Sequence, residues 1–436
     1  MTSNSDSRSL LLPSPKRDPS RGAEWFRYYA SYSDRFVAEV LRRLDLLPHS
    51  AVADPWNGAG TTTTVAHRLG FRAHGFDVNP VMVLVAKARL LDPVIRPSDL
   101  RLAESILDQA ITDSTTLSSE PLETWFTPSS ARILRRLERA VQRLLVTKDN
   151  ALLLTTHPAL NLVSPLAAFF YTALFRTARS FLHAFTPTNP TWIKTPTKIR
   201  RVRPSPDDLF HCFLSIVSEM APPGGSDHSD EDSSSTAGHY TTIQIGTSDT
   251  LPLASSSIDA ILTSPPYCTR IDYAIATKPE LALLGLSMDH ELTALRRTMI
   301  GTPAIAASSG EPLDVWGPTC SKFLDAVRTH TSRASSTYYF KTHLQYFASI
   351  YNSLAELRRI LTPTAPCVLV VQDSFYKDIH NDLPRIFVEM ADSIGWSLRH
   401  RWDFPIDRTM AAVNHRHHKY RTDVSAVESV LWFSLQ

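Results

Sequence analysis

Short apolar runs that stop at a polar or acidic residue alternate with segments of helical period, first near the N-terminus and again from Thr242 onward. Ala51–Asp54 and Phe71–Asp77 read as buried strands, each followed by a helix, Thr62–Leu69 and Pro80–Leu90. Ahead of them, Trp25, Tyr28, Tyr29, Tyr32, Phe36, Val40 and Leu44 recur at spacings of one, three and four. They predict helix over Trp25–Leu46, with a new turn starting at Ser33 or Asp34. The strand–helix rhythm then stops. Asp99–Thr112, Ser129–Val146 and Ala167–Phe185 are expected to be helices. It resumes with strands Thr242–Gly246 and Ser256–Ser264, helix Tyr338–Leu361, strand Cys367–Gln372 and helix Leu383–Ile394. Ser397–Phe404 and Glu428–Ser434 complete the strands, the last expected to run antiparallel. The pattern is that of an α/β protein with a largely helical insertion.

This organisation divides the chain into a disordered, Ser- and Pro-rich 1–20, a first core part 21–95, an insertion 96–239 and a second core part 240–436. Within these, 222–238 (PPGGSDHSDEDSSSTAG) reads as an acidic linker and 286–337 as an irregular insertion. The 436 residues are 43% hydrophobic and 20% charged, which fits a globular protein with a sizeable core. Lys plus Arg number 45 against 43 Asp plus Glu, so overall charge does not decide for or against nucleic acid. Cys212, Cys268, Cys320 and Cys367 lie far apart with no C-x-x-C pair, which disfavours zinc and disulfides and fits a reducing cytoplasm. The charged N-terminus is no signal peptide. Ala151–Phe175 lacks Asp, Glu, Lys and Arg, but Pro158 and Pro165 interrupt it, and Thr155, Thr156, His157 and Asn161 make it polar. Packed helices rather than a membrane span are expected there.

Three loops carry candidate chemistry. After the first strand comes Asp54-Pro55-Trp56-Asn57-Gly58-Ala59-Gly60-Thr61-Thr62, whose glycines allow a sharp turn before a helix N-terminus with free N–H groups. The second strand ends at Asp77, at a distance from Gly60 that suits a carboxylate accepting both hydroxyls of a ribose. A phosphate-binding loop would end Gly-Lys-Ser/Thr, and a dinucleotide fingerprint would place glycine at position 63, where Thr63 stands. Both rivals are weakened and stay open. Thr247-Ser248-Asp249 follows the third strand. Ser264-Pro265-Pro266-Tyr267 follows the fourth. Two consecutive prolines cannot continue a ladder, and a hydroxyl, a rigid carbonyl and a flat ring suit a planar substrate bearing an amine; the tetrapeptide alone also fits a simple proline turn.

Basic residues cluster in two runs of the insertion. Arg132, Arg135, Arg136, Arg139 and Arg143 share one predicted helix, and Lys194, Lys198, Arg200, Arg201 and Arg203 crowd one short segment. Each run alone fits a solvated face, and the two together favour a phosphate track. A third basic stretch, Asn414–Arg421, contains Arg416, Lys419 and Arg421. Its histidines lack alternating acids or cysteines, so it reads as a phosphate-facing loop and no metal site is expected.

Taken together, these motifs resemble the amino-directed DNA methyltransferases, which use S-adenosyl-L-methionine to methylate cytosine N4 or adenine N6. Arg359-Ile360-Leu361-Thr362-Pro363 before the fifth strand is similar as well. The resemblance covers roughly 24–95, 240–285 and 338–436. It implies a Rossmann-like, seven-stranded, mostly parallel sheet with an antiparallel last strand. It implies that Asp54, Pro55, Trp56, Gly58, Gly60, Thr61 and Thr62 hold the cofactor's methionine end. Asp77 would hold its ribose, and Val78, Ser248 and Asp249 its adenine. Tyr267 would stack on a base flipped out of double-stranded DNA, while the Ser264 side chain and the Pro265 carbonyl hydrogen-bond its amine, and Pro266 completes the catalytic loop. Serine at the first motif position accompanies cytosine N4 more often than adenine N6. Cys268 is not placed like a cytosine-C5 nucleophile, because Tyr267 separates it from the proline. An RNA base N-methyltransferase and a silent nucleic-acid-binding subunit remain alternatives, and a restriction or defence partner is left open by the residues.

Overall fold

The computed structural model describes residues 12–16, 26, 32–91, 99–114, 119–147, 154, 157–187, 192–220, 240–268, 272–303, 310–406 and 426–435. Its main sheet has seven strands. Five are parallel: β1 (Ala51–Asp54), β2 (Arg72–Asp77), β3 (Thr241–Ile245), β4 (Ala260–Thr263) and β5 (Cys367–Gln372). A small hairpin, β6 (Ser374–Tyr376) and β7 (Ile379–Asn381), leaves the sheet after β5. β8 (Trp396–Ile406) and β9 (Ala426–Leu435) then close it, β9 running antiparallel to both β5 and β8. The strand order is β3-β2-β1-β4-β5-β9-β8. This is the expected Rossmann-like methyltransferase fold.

The order has a consequence for function. From β1 the chain moves outward through β2 to β3, then returns to lay β4 on the other side of β1. A crevice opens where the direction reverses, outside the C-terminal ends of the strands. β1 and β4 are buried at every residue, as strands covered on both faces must be.

Helix ends follow local chemistry. Ser33 caps helix Asp34–Arg43 by accepting from Phe36 N at 3.2 Å, at the polar pair expected to start a new turn; Phe26 and Tyr32, inside the predicted helix Trp25–Leu46, lie outside it. Trp25, Tyr28 and Tyr29 lie outside the described residues. Asn79 caps helix Pro80–Ala88 and Ser164 caps helix Pro165–Ser180, each with proline in the first turn. Near the N-terminus, Leu12 is buried and the Pro15 carbonyl accepts from Ser33 N at 2.9 Å. Strand β4 is shorter than predicted. Ser256, Ser257 and Ile258 instead donate their N–H groups to Arg359 and Ile360, at the end of helix Phe340–Ile360.

The described part of 96–239 is helical: Asp99–Thr112, Pro128–Leu145, His157–Asn161, Pro165–Ser180 and Pro206–Met220. These helices share one apolar core with Pro80–Ala88 and with Lys278–Leu283, which follows the Ser264–Tyr267 loop. Among the described residues no helix is long and apolar enough to cross a membrane.

That packing overturns one sequence expectation. Arg135 and Arg139 are buried at 1% and 3% exposure and cannot form a phosphate track. Arg135 pairs with Glu120 and Glu138 and donates to the carbonyls of Ala282 and Leu283. Arg143 pairs with Asp113, and on the neighbouring helix Arg179 pairs with Glu280 and Arg176 with Glu219. Acids and carbonyls matched to its donors are what make a buried guanidinium such as that of Arg135 tolerable. On the predicted basic face, Arg135 and Arg143 fasten separate elements together, Arg139 is buried beside Glu138 and Gln142 of its own helix, and Arg132 is exposed.

Candidate active site

Four strand ends converge on a cavity of about 370 Å³. Pro55 and Trp56 follow β1, Asp77 and Val78 end and follow β2, and Ser248 and Asp249 follow β3. Ser264, Pro265, Pro266 and Tyr267 follow β4, and all ten line the cavity. Residues 187 to 212 positions apart in sequence thus share one wall system, as Asp77 with Ser264 and Pro55 with Tyr267 show.

The remaining predicted cofactor residues shape this wall from behind. Asp54 is buried at 2% exposure; it accepts from Thr263 Oγ1 at 2.6 Å and from Trp56 N at 3.1 Å. It therefore ties the loop after β1 to the end of β4. Burial raises its pKa to about 6, against the lowering effect of those hydrogen bonds. Thr62 is fully buried, hydrogen-bonded to the Tyr32 hydroxyl and to the Leu262 carbonyl. Thr61 Oγ1 accepts from Arg89, whose other nitrogen reaches Asp34. Gly60 has φ +77°, and a Cβ there would meet Ala86 Cβ at 2.6 Å. Only glycine fits this close approach of loop and helix.

Gly58 has a more direct part. Its N–H donates to Asp77 Oδ2 at 2.9 Å, and Asn79 N donates to Asp77 Oδ1 at 2.8 Å. Both carboxylate oxygens are thereby oriented before any ligand arrives, with lone pairs to spare. Burial is the largest influence on Asp77, raising its pKa to about 6; the two N–H bonds lower it and nearby Asp54 raises it.

Across the cavity, Ser264 Oγ donates to the Val370 carbonyl of β5 at 3.0 Å. With its proton committed there, the hydroxyl oxygen can act towards the cavity only as an acceptor. The Pro266 carbonyl accepts from Tyr346 OH at 3.0 Å, and Tyr267 N donates to Tyr273 OH at 3.4 Å. Two tyrosines therefore hold the proline loop from either side. Burial pushes both phenols above their ordinary range, so both stay neutral, Tyr346 as a donor and Tyr273 as an acceptor.

Several lining residues had no motif to announce them. Gln345 and Ser349 come from helix Phe340–Ile360, four apart on one face, and Ser353 on the next turn hydrogen-bonds Ser248 at 2.8 Å. Arg297 and Thr298 end helix His290–Thr298, and Met299 and Ile300 continue the chain from it. The helical period could have suggested the Gln345–Ser349–Ser353 row as a polar stripe on an otherwise apolar face. Nothing local marks Arg297.

The described members of the predicted nucleic-acid set do not line the cavity. Arg200 and Arg203 are exposed, and Arg201 is half-buried beside Glu123 at 3.8 Å. Their segment is fixed to the insertion by Thr127 N to Val202 O at 2.9 Å and Val202 N to Trp125 O at 2.8 Å. Arg416, Lys419 and Arg421 lie outside the described residues. Among the described residues no cluster of His, Cys, Asp or Glu could hold a metal ion.

The pocket is built from the C-terminal ends of β1 to β4, with an oriented acid on one side and an acceptor-rich proline loop on the other. The chain is similar to a methyltransferase. It is 24% identical over 311 residues to the type II methyltransferase M.BsoBI of Geobacillus stearothermophilus. The alignment takes in 63% of this chain and 55% of the relative, so the chain spans about half the length of the protein it matches. No protein-family model matches the chain.

Proposed function

We propose that this protein is an S-adenosyl-L-methionine-dependent DNA methyltransferase that modifies the exocyclic amine of a flipped base, with cytosine N4 favoured over adenine N6. The observation that carries the reading is the meeting of Asp77 and Ser264–Tyr267 on one cavity. A nucleoside-binding acid and an amine-binding loop have little reason to share a wall unless a nucleoside cofactor and an amine acceptor meet there. The similarity to M.BsoBI supports the same reading.

The residues present fit the cofactor. The cavity volume lies in the usual range for a small-molecule site. Asp77 offers two oriented acceptor oxygens for the ribose hydroxyls. Ser248, Asp249 and Val78 line the cavity and would hold the adenine, and Pro55 and Trp56 line it too and would hold the methionine end. When bound, S-adenosyl-L-methionine supplies an electrophilic methyl group.

The protein's own part is orientation. Tyr267 provides a flat face for the base, a contact worth about 1–3 kcal/mol in single-strand recognition. Ser264 Oγ, already donating to Val370, accepts from one N–H of the amine, and the Pro265 carbonyl accepts from the other. Those two bonds draw the amine out of conjugation with its ring and hold its lone pair towards the methyl. Fixed acceptors contribute through positioning and electrostatics, with no covalent enzyme intermediate. Serine as the first acceptor is what favours cytosine.

Incubation with S-adenosyl-L-methionine and unmethylated duplex DNA, followed by nucleoside mass spectrometry, tests the proposal. N4-methylcytosine is the expected product. N6-methyladenine would correct the base, and methylation of RNA alone would replace the substrate.

A further inference from the structure

Arg297 is the one lysine or arginine that lines the cavity among the described residues. It is exposed, and among the described residues its side chain makes no hydrogen bond or ion pair. Its neighbours are firmly placed. Arg296 binds the buried Asp272 through Nε at 2.9 Å and Nη2 at 2.7 Å. Asp272 in turn caps the short helix Tyr273–Ala276 by accepting from Ile275 N at 3.2 Å. On the other side, Met299 and Thr302 are buried, and the Pro303 carbonyl accepts from Tyr338 OH at 3.1 Å. The chain is thus pinned on both flanks of Arg297, and its guanidinium is held at the cavity without being used.

An exposed, unpaired guanidinium in a fixed place suits an anion with paired oxygens. Resting on the function proposed above, two anions come near this cavity: the carboxylate of the cofactor's methionine end and the DNA phosphates. The fastening decides between them. Arg296–Asp272 couples the helix of Arg297 to the segment directly following Ser264–Tyr267, the acceptor side, whereas the methionine end belongs to the loop after β1. A nucleotide swung out of the duplex stays joined to it by its flanking phosphates, which must pass the rim of the pocket that takes the base. We propose that Arg297 binds a phosphate flanking the extruded nucleotide and holds that nucleotide at Ser264–Tyr267.

The test uses the full chain with unmethylated genomic duplex DNA and the variants Arg297→Ala and Arg297→Lys. Arg297→Ala is expected to raise KM for DNA about tenfold, the loss falling on KM rather than kcat. The slope of log binding constant against log salt should shrink by about 0.9, one phosphate contact. Arg297→Lys should restore much of the slope but only part of the affinity, since it keeps the charge and loses the fork. Calorimetric affinity for S-adenosyl-L-methionine should not change. An unchanged KM and slope would overturn the proposal, and so would weakened cofactor binding with DNA binding intact, which would assign Arg297 to the carboxylate. If the wild-type protein transfers no methyl to DNA, filter binding still decides: a reduced slope in Arg297→Ala keeps the phosphate site while the methylation reading fails, and an unreduced slope removes the site.

Discussion

Ser264 donates its hydroxyl proton to the carbonyl of Val370, 106 residues away in sequence and on the neighbouring strand. This bond converts a group that could donate or accept into an acceptor facing the cavity, which is the role an amine substrate requires. Ser264→Ala should lower kcat for methyl transfer by roughly 100-fold, the usual scale for losing one oriented polar group at a reacting centre. Cofactor affinity should be unaffected. Single-turnover methylation alongside calorimetry checks both halves.

Tyr346 is expected to matter through the loop it holds. Tyr346→Phe removes the donor to the Pro266 carbonyl and keeps the ring in the core. The predicted result is a kcat reduced about three- to tenfold with little change in melting temperature. A drop in stability without a drop in kcat would show that the bond serves only packing.

Under the proposed function, Asp77 should give cofactor binding a pH dependence. Its pKa is raised to about 6, and the ionised form is the better acceptor for ribose hydroxyls. Affinity for S-adenosyl-L-methionine should therefore fall as pH drops through about 6, and Asp77→Asn should give a weak affinity that is flat across that range. Calorimetry at a series of pH values would show it.

The same raised values act on stability with the opposite sign. Asp54 and Asp77 have folded pKa values of about 6 against 3.8 for the free side chain, so between those limits the folded protein keeps protons that the unfolded chain has released. Their contribution is complete below about pH 4 and is lost as pH rises to about 6. Asp54→Asn should flatten this part of the stability profile in denaturant titrations.

The two kinds of arginine in the insertion should behave differently. Arg135→Ala leaves Glu120 and Glu138 buried without their partner and is expected to cost about 3–5 kcal/mol of stability. Arg200→Gln with Arg203→Gln should leave the melting temperature alone. If that face meets DNA, the pair should reduce the salt slope by about two. Melting curves and salt-dependent binding separate them.

Local pattern determined a good deal of this protein. Strands β1, β2 and β5 and the helices after the first two strands could be read nearly to the residue, because side-chain period and capping residues act over a few positions. Gly58, Gly60, Asp77 and Ser264–Tyr267 also stood out, since tight turns and strand-ending prolines leave few choices of residue. That these loops share one cavity was decided by strand order, which places β1 beside β4 across some 200 residues. Charge was least legible. Arg135 and Arg200 look alike in sequence, yet one meets Glu120 and the Ala282 carbonyl inside the protein and the other faces solvent. Whether an arginine is buried or exposed depends on partners brought to it by the tertiary fold, and so did the placing of Arg297 at the cavity.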